Sequence, residues 1–247
     1  EWNLKGRLII ILAKLIYRYS KLVICNSKEL SKEFKALSKN LKVIHIYNPT
    51  LNTNFNLLSK KFKIKTEPFM NKNKPILFSL GRLDYNKNNI MLLRAYNKIK
   101  DKIRCNIVLM GDGNEKNMLL DYAKKNNFEK NLFIFSFQKN PYPYFSKSDI
   151  LILTSRTEGL PNVLIEALNY NLPCISTNVS GVTDLLLKGK GGVILKSFSP
   201  YELENKLNKI TNNYKIYLNK TKNAKSNLKR FDINVASNEY LKLLEKI

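Results

Sequence analysis

The chain has 247 residues, with 43 Lys and Arg against 19 Asp and Glu, for a formal net charge of +24. That length suits one large domain or one domain with part of another, its 44% hydrophobic content is ample for a core, and a single histidine excludes a multi-histidine metal centre. The basic excess favours anionic partners, among them nucleotides, anionic lipid and nucleic acid, although a Lys-, Asn- and Ile-rich composition throughout explains part of it without any binding.

Residues 4–19 read as a helix carrying Arg7, Lys14 and Arg18 among Leu and Ile. It is either an amphipathic helix packed on a sheet or a basic, apolar face lying on the inner membrane leaflet. Its apolar run 8–13 is cut by Lys14 and falls well short of the roughly 20 residues of a spanning helix. No secretory signal is evident. A strand over 22–25, a helix over 27–37 and a strand over 42–46 follow, ending at Tyr47-Asn48-Pro49. His45 alternates with Val43 and Tyr47 there and reads as a packed or hinge residue. Residues 51–74 are polar without a clear period and read as linker and loop.

From residue 75 onward, short apolar strands alternate with helical patterns. Strands are expected over 75–80, 106–110, 132–135, 150–153, 174–176 and 193–195. Helices are expected over 88–100, 115–126, 142–147, 161–170, 182–187 and 200–211. A very basic helical stretch over 214–230 and a last helix over 233–247 close the chain. Apolar strands alternating with helices predict a parallel sheet covered on both faces. Right-handed crossovers make it a doubly wound, Rossmann-like domain, α/β in class. Cys25, Cys105 and Cys174 lie in or beside such strands, form no metal or disulfide spacing, and read as buried thiols of a reducing compartment.

Ligands of such sheets bind beyond the carboxyl ends of the strands. The turns at Gly81, Gly111 and Gly159 lie there, as does Phe137. In the segment Thr154-Ser155-Arg156-Thr157-Glu158-Gly159-Leu160-Pro161-Asn162-Val163-Leu164-Ile165-Glu166-Ala167, a strand runs through a tight turn into a helix with Pro161 at its first position. The free N–H groups of that first turn make a phosphate site, to which Gly159, Leu160 and Asn162 contribute. Glu158 precedes it and Glu166 follows, close enough for its carboxylate to accept from ribose hydroxyls. Arg82 offers a fork and Lys87 a point charge, both suited to a diphosphate. Gly111-Asp112-Gly113 is an ordinary turn or a phosphate turn. It does not complete G-x-G-x-x-G, because Lys116 occupies the last position, which speaks against a nicotinamide cofactor. Tyr142 and Tyr144 read as structural.

The Glu158–Glu166 spacing resembles the E-x7-E signature of retaining glycosyltransferases of family 4, which have the GT-B fold. Gly81-Arg82-Leu83 with Lys87-Asn88, Met110-Gly111-Asp112-Gly113, Asp149 to Ser155, Leu172-Pro173-Cys174-Ile175-Ser176 and Ser180-Gly181-Val182 resemble further elements of that family in the same order. The resemblance runs from about Val43 to the C-terminus. It implies that Arg82 and Lys87 contact the nucleotide diphosphate as leaving group, Glu158 the donor sugar, Glu166 the ribose, and Phe137, with Ser136 and Gln138, the nucleobase unless that ring is core. It also implies retention at the anomeric carbon without a metal cofactor.

By this resemblance residues 1–50 are the end of an N-terminal acceptor domain, 51–74 a linker, 75–230 the nucleotide-sugar domain and 231–247 a helix returning to the N-terminal domain. Most of that N-terminal domain, including the family's usual catalytic histidine, is expected to be missing. The expected function is transfer of a sugar from a nucleotide donor, a UDP-sugar by preference, to a lipid-linked saccharide or other glycan. The expected location is cytoplasmic, peripheral on the anionic inner membrane surface. Its rivals are a nucleotide-sugar-binding fragment without turnover, another enzyme of the same fold such as an epimerase, and a basic nucleic-acid-binding protein. The last lacks any helix-turn-helix, RNP or zinc pattern.

Overall fold

The computed structural model describes Leu12 and residues 15–17, 19–37, 41–51, 68–70 and 74–246. Arg7, Lys14 and Arg18, the run 8–13 apart from Leu12, and most of the expected linker lie outside the described residues.

Two parallel sheets are built. Strand β1 (Val23–Cys25) pairs with β2 (Val43–His45), Val23 opposite Val43, with the helix Lys28–Leu37 between them in sequence. Strands β3 (Ile76–Leu80), β4 (Asn106–Met110), β5 (Leu132–Phe135), β6 (Ile150–Leu153), β7 (Cys174–Thr177) and β8 (Val193–Leu195) form the second sheet, in the order β5-β4-β3-β6-β7-β8. Every pairing in it is parallel. Its strands are mostly apolar and largely buried because helices cover both faces. Successive side chains alternate between faces. Ile76, Phe78, Val108, Met110 and Leu151 enter one core with Leu164 and Leu168 of the helix Asn162–Asn169. Leu77, Ile107, Leu109 and Ile152 enter the other with Leu92 of the helix Asn89–Ile99 and Leu203 of the helix Pro200–Asn212.

The strand order decides where a ligand fits. The chain lays β3, β4 and β5 outward in one direction, then returns to the other side of β3 for β6, β7 and β8. The loops leaving β3 and β6 therefore lead to helices on opposite faces of the sheet, Asn89–Ile99 and Asn162–Asn169, and a crevice opens at this switch point beyond the carboxyl ends.

The elements fall close to their expected places, with three differences. The helix expected from 161 begins at Asn162, and Pro161 is its cap, with an extended ψ of 94°. The helix expected over 182–187 ends at Leu185, because Leu187 and Lys188 turn left-handed (φ 50° and 54°) and form a separate turn, Leu187–Gly189. Phe69, in the expected linker, is a core residue. It is 1% exposed, its ring lies 5.4 Å from that of Phe135 and 5.8 Å from that of Tyr144, and its carbonyl accepts from Asn106 Nδ2 at 2.8 Å. The stretch is rich in Asn and Lys and shows neither a strand nor a helix period, so the pattern gave no sign of it.

The small sheet is tied to the large one. Thr50 and Leu51 donate backbone hydrogen bonds to the Phe231 carbonyl, and Ile233 donates to Leu51. Tyr47 packs on Phe231 at 4.7 Å and its hydroxyl donates to Asp184, which Arg230 also reaches at 3.4 Å. The last helix, Ile233–Leu244, starts at this junction, and its Tyr240 lines a cavity with Tyr17, Val23 and Phe34. His45 sits edge-on to Tyr47 at 4.8 Å, its pKa lowered by burial and by the Lys28 charge. All three cysteines are free and buried.

Candidate functional site at the switch point

The glycine turns come first, because they hold the strand ends together. Gly81 donates to the Met110 carbonyl, Gly111 to that of Phe135, and Leu83 to that of Asp112. These contacts bring the backbones so close that a Cβ at Gly111 would stand 2.0 Å from the Gly81 oxygen and one at Gly113 2.1 Å from the Leu83 oxygen. Gly111 also has φ +143°, a conformation that side-chain-bearing residues rarely adopt. Gly-Asp-Gly is thus needed here for backbone approach. Between the glycines, Asp112 Oδ2 accepts from the N–H of Phe137 at 3.1 Å and fixes the loop after β5.

Beyond these turns lies a cavity of about 640 Å³, lined among others by Gly81, Arg82, Gly111, Phe137, Tyr142 and Glu166. Four expected donor-site positions from three turns, Gly81, Arg82, Gly111 and Phe137, thus meet Glu166 from the helix Asn162–Asn169. Phe137 is 68% exposed, so its ring is a wall of the cavity and not core. The Glu166 carboxyl group has no hydrogen bond or ion pair among the described residues, and burial pushes it up to about 7. The phenol of Tyr142 is pushed up to about 12, first by burial and then by the Glu166 charge. Sequence reading took Tyr142 as structural. Its ring does stack on Phe145, but it also lines this cavity, and no pattern in the chain separates the two uses.

A second cluster stands beside the first. Lys87 Nζ lies 2.6 Å from Glu158 Oε1, with the side chains 20% and 15% exposed. The Lys87 stem runs over Gly81, where a Cβ would come within 2.9 Å of Cε. The pair is set by a staple between the loops that follow β3 and β6. Asn86 Nδ2 donates to the Thr157 carbonyl, Thr157 Oγ1 donates to Asn86 Oδ1, and the Arg156 N–H donates to the Asn86 carbonyl at 2.7 Å. Thr154 Oγ1 donates to the Lys87 carbonyl, and the Arg156 guanidinium lies 4.2 Å from the centre of the Tyr85 ring and donates to Asn88 Oδ1. Asn86, Arg156 and Thr157 were missed in the sequence. Their signal was a polar triplet on each side of the switch point, legible only once the two loops are known to meet. Arg82 reaches Asp84 Oδ2 at 3.1 Å with its side chain 75% exposed, so the guanidinium stands in solvent at the cavity mouth.

The helix start is less open than expected. Leu160 is 7% exposed and its side chain belongs to the core, so it brings only backbone to the site. Asn162 Oδ1 accepts from Thr50 Oγ1 at 3.1 Å. Gly159 faces Asn26 of the small sheet, whose Oδ1 a Cβ would meet at 3.1 Å. The N–H groups of Gly159, Asn162 and Val163 have no acceptor among the described residues, which leaves donors for an anion. Gly113, Lys87, Glu158, Gly159, Leu160 and Asn162 do not line the 640 Å³ cavity. Among the described residues no group of three His, Cys, Asp or Glu is arranged to hold a metal ion.

Known proteins share this fold. The structure of Anabaena Alr3699/HepE in complex with UDP and glucose superposes with a TM-score of 0.81 at 19% identity, covering 100% of this chain and 68% of that one. Sucrose-phosphate synthase from Thermosynechococcus elongatus gives 0.82 at 18% identity, covering 97% and 61%. The fold is that of the GT-B glycosyltransferases.

In sequence, the chain is 33% identical over 139 residues to an uncharacterized glycosyltransferase, MJ1059, of Methanocaldococcus jannaschii, covering 50% of this chain and 34% of that protein. It is 30% identical over 169 residues to N-acetylgalactosamine-N,N'-diacetylbacillosaminyl-diphospho-undecaprenol 4-alpha-N-acetylgalactosaminyltransferase of Campylobacter jejuni, covering 68% and 46%. The chain thus spans less than half the length of these two relatives. Residues 60–227, well over half the chain, match the model of the family described as Glycosyl transferases group 1, and the chain belongs to that family.

Proposed function

We propose that the protein binds a nucleotide-sugar donor, by preference a UDP-sugar, at the switch point and serves as the donor half of a retaining glycosyltransferase. The observation that carries this reading is the meeting of Glu166, Arg82 and Phe137 in one cavity beside the Lys87–Glu158 pair. Phe137 and Gln138 take the nucleobase, and Glu166 accepts from the ribose hydroxyls. The diphosphate lies between Arg82, Lys87 and the free N–H groups from Gly159 to Val163. Glu158 takes hydroxyls of the donor sugar. Charge that builds on the departing diphosphate then meets these cations and N–H donors, a large catalytic contribution. No metal is required for that step. HepE, which shares the fold, was solved with UDP and glucose.

The acceptor in this reading is a lipid-linked saccharide or other glycan used in surface polysaccharide assembly, in line with the undecaprenyl diphosphate substrate named for the Campylobacter relative. No helix among the described residues is long and apolar enough to cross a membrane. Leu12, Leu15 and Ile16 are exposed by 48%, 53% and 66%, which supports peripheral contact with the inner membrane surface from the cytoplasmic side. In this reading the described residues up to 50 and from 231 onward belong to the acceptor side, and 75–230, with Phe69 packed into their core, to the donor part. A second reading is donor binding without turnover, since the expected site residues that meet in the switch-point cavity are all donor-side positions.

The test is thermal stabilisation by a panel of UDP-, GDP- and ADP-sugars, followed by calorimetry on Glu166→Ala. The expected result is stabilisation by the UDP series and an affinity several-fold weaker in the variant. Unchanged affinity removes the ribose role. A transfer assay with the preferred donor and lipid-linked glycans separates the two readings.

A further inference from the structure

On the outer edge of the large sheet, away from the switch point, four lysines from separate segments line one cavity of about 360 Å³. Lys188 comes from the turn Leu187–Gly189, Lys196 from the end of edge strand β8, Lys206 from the helix Pro200–Asn212 and Lys220 from the helix Tyr214–Lys225. None of the four has a carboxylate within 4.0 Å among the described residues. Glu202, the nearby acid, accepts from the N–H groups of Lys196 and Ser197 at 2.9 Å, and, outweighing burial, those hydrogen bonds together with the Lys206 charge lower its pKa, so it offsets part of one of the four charges. The Lys220 ammonium lies 5.2 Å from the centre of the Tyr217 ring, on the cavity wall.

Gathering like charges around a concavity is unfavourable unless an anion fills it. The backbone adds to the cost. Leu187 and Lys188 are both left-handed, at φ 50° and 54°, and Gly189 follows at φ 89°. Such residues persist where the surroundings impose them, and they cluster at ligand sites. Lysines also guard exposed sheet edges against strand addition. That accounts for Lys196, but not for Lys206 and Lys220 on helices or for Lys188 in a left-handed turn.

We infer that this cavity is a second anion site, separate from the donor site, and that it takes a multiply charged phosphate group such as a diphosphate. Ammonium groups on flexible stems are point charges that suit phosphate oxygens without demanding a planar partner. The same chemistry is offered by a soluble diphosphate and by a phospholipid headgroup.

The test is calorimetric titration of inorganic pyrophosphate into the full chain, the triple variant Lys188→Gln/Lys206→Gln/Lys220→Gln, and a control Lys98→Gln/Lys124→Gln/Lys130→Gln of equal net charge. An unchanged Tm reports folding. The pocket variant is expected to lose about tenfold or more in affinity, and the control little. Unchanged affinity in the pocket variant overturns the inference, and so does an equal loss in both, which is the signature of general basic charge. Arg82→Ala, in the switch-point cavity, leaves this loss in place whether or not the donor reading holds. Flotation with equimolar phosphatidylglycerol and phosphatidylcholine vesicles identifies the source. If the pocket variant loses flotation as well, the phosphate is a lipid's. If it loses only pyrophosphate, the ligand is soluble.

Discussion

Lys87 Nζ lies 2.6 Å from Glu158 Oε1, joining the loop after β3 to the loop after β6 across the switch point. Both groups are largely out of solvent, so each depends on the other. Removing one leaves an uncompensated, partly buried charge, which costs on the order of 3 kcal/mol. Lys87→Met keeps the stem over Gly81 and removes only the charge. Its unfolding free energy in urea is expected to fall by that amount, and the double variant Lys87→Met/Glu158→Gln is expected to regain more than half of it. Strictly additive losses would mean that the two groups do not act as a pair.

The staple formed by Asn86, Arg156 and Thr157 sets the position of that pair. Asn86 both donates to the Thr157 carbonyl and accepts from the Thr157 hydroxyl, and these contacts are exposed. Asn86→Ala is therefore expected to cost only about 1 kcal/mol of stability. Its effect on binding is selective, because the staple serves Lys87 and Glu158 and not the walls around Phe137 and Glu166. Calorimetry with a UDP-sugar should show several-fold weaker binding, while uridine affinity stays at the wild-type value. An equal loss for both ligands would reduce the staple to a stability element.

The fold was legible because its signal is local. Buried parallel strands such as Ile150–Leu153 are unbroken apolar runs, and glycines mark the turns that end them. Within the site, Gly81, Arg82, Gly111, Phe137 and Glu166 were legible as residues just beyond strand ends. What stayed hidden depends on contacts between distant segments. Phe69 lies in a short Pro-Phe-Met turn within an Asn- and Lys-rich stretch, and its core role exists only through distant rings such as Phe135 and Tyr144. Asn86 and Thr157 are ordinary loop residues until two loops 71 positions apart meet. Leu160 was read as part of the site because it lies between Glu158 and Asn162. Its burial against Gly181, where a Cβ would come within 2.9 Å of Leu160 Cδ1, is a fact of packing that spacing does not encode.

Two glycines with positive φ make predictions of different size for the same substitution. At Gly111 an added methyl would collide with the Gly81 carbonyl at 2.0 Å, and both atoms belong to backbone held by the sheet. Gly111→Ala is expected to lose about 3 kcal/mol or more, from overlap and from the left-handed conformation together. At Gly189 nothing lies within 4 Å of the added atom, so only the conformational preference is lost, about 1 kcal/mol. Thermal melts of the two variants check this. Similar losses would show that φ alone governs both positions.

Glu166 gives the site a pH dependence whose sign follows from its burial. Its carboxyl is raised from 4.5 to about 7 in the folded protein. Between those values the folded chain keeps a proton that the unfolded chain has released. Stability is therefore highest below the unfolded value, falls as pH rises through about 7, and levels off above it. Ionising the buried group costs on the order of 3 kcal/mol in the empty site. Glu166→Gln should abolish this dependence, which urea midpoints measured across the range will show. Ribose hydroxyls that donate to Glu166 favour its ionised form, so nucleoside binding must run the other way. Uridine affinity should rise with pH up to about 7, with proton release visible as a buffer-dependent binding enthalpy, and uridine has no phosphate to confuse the titration. A flat profile in the wild type, or the same slope in Glu166→Gln, would place the ribose elsewhere.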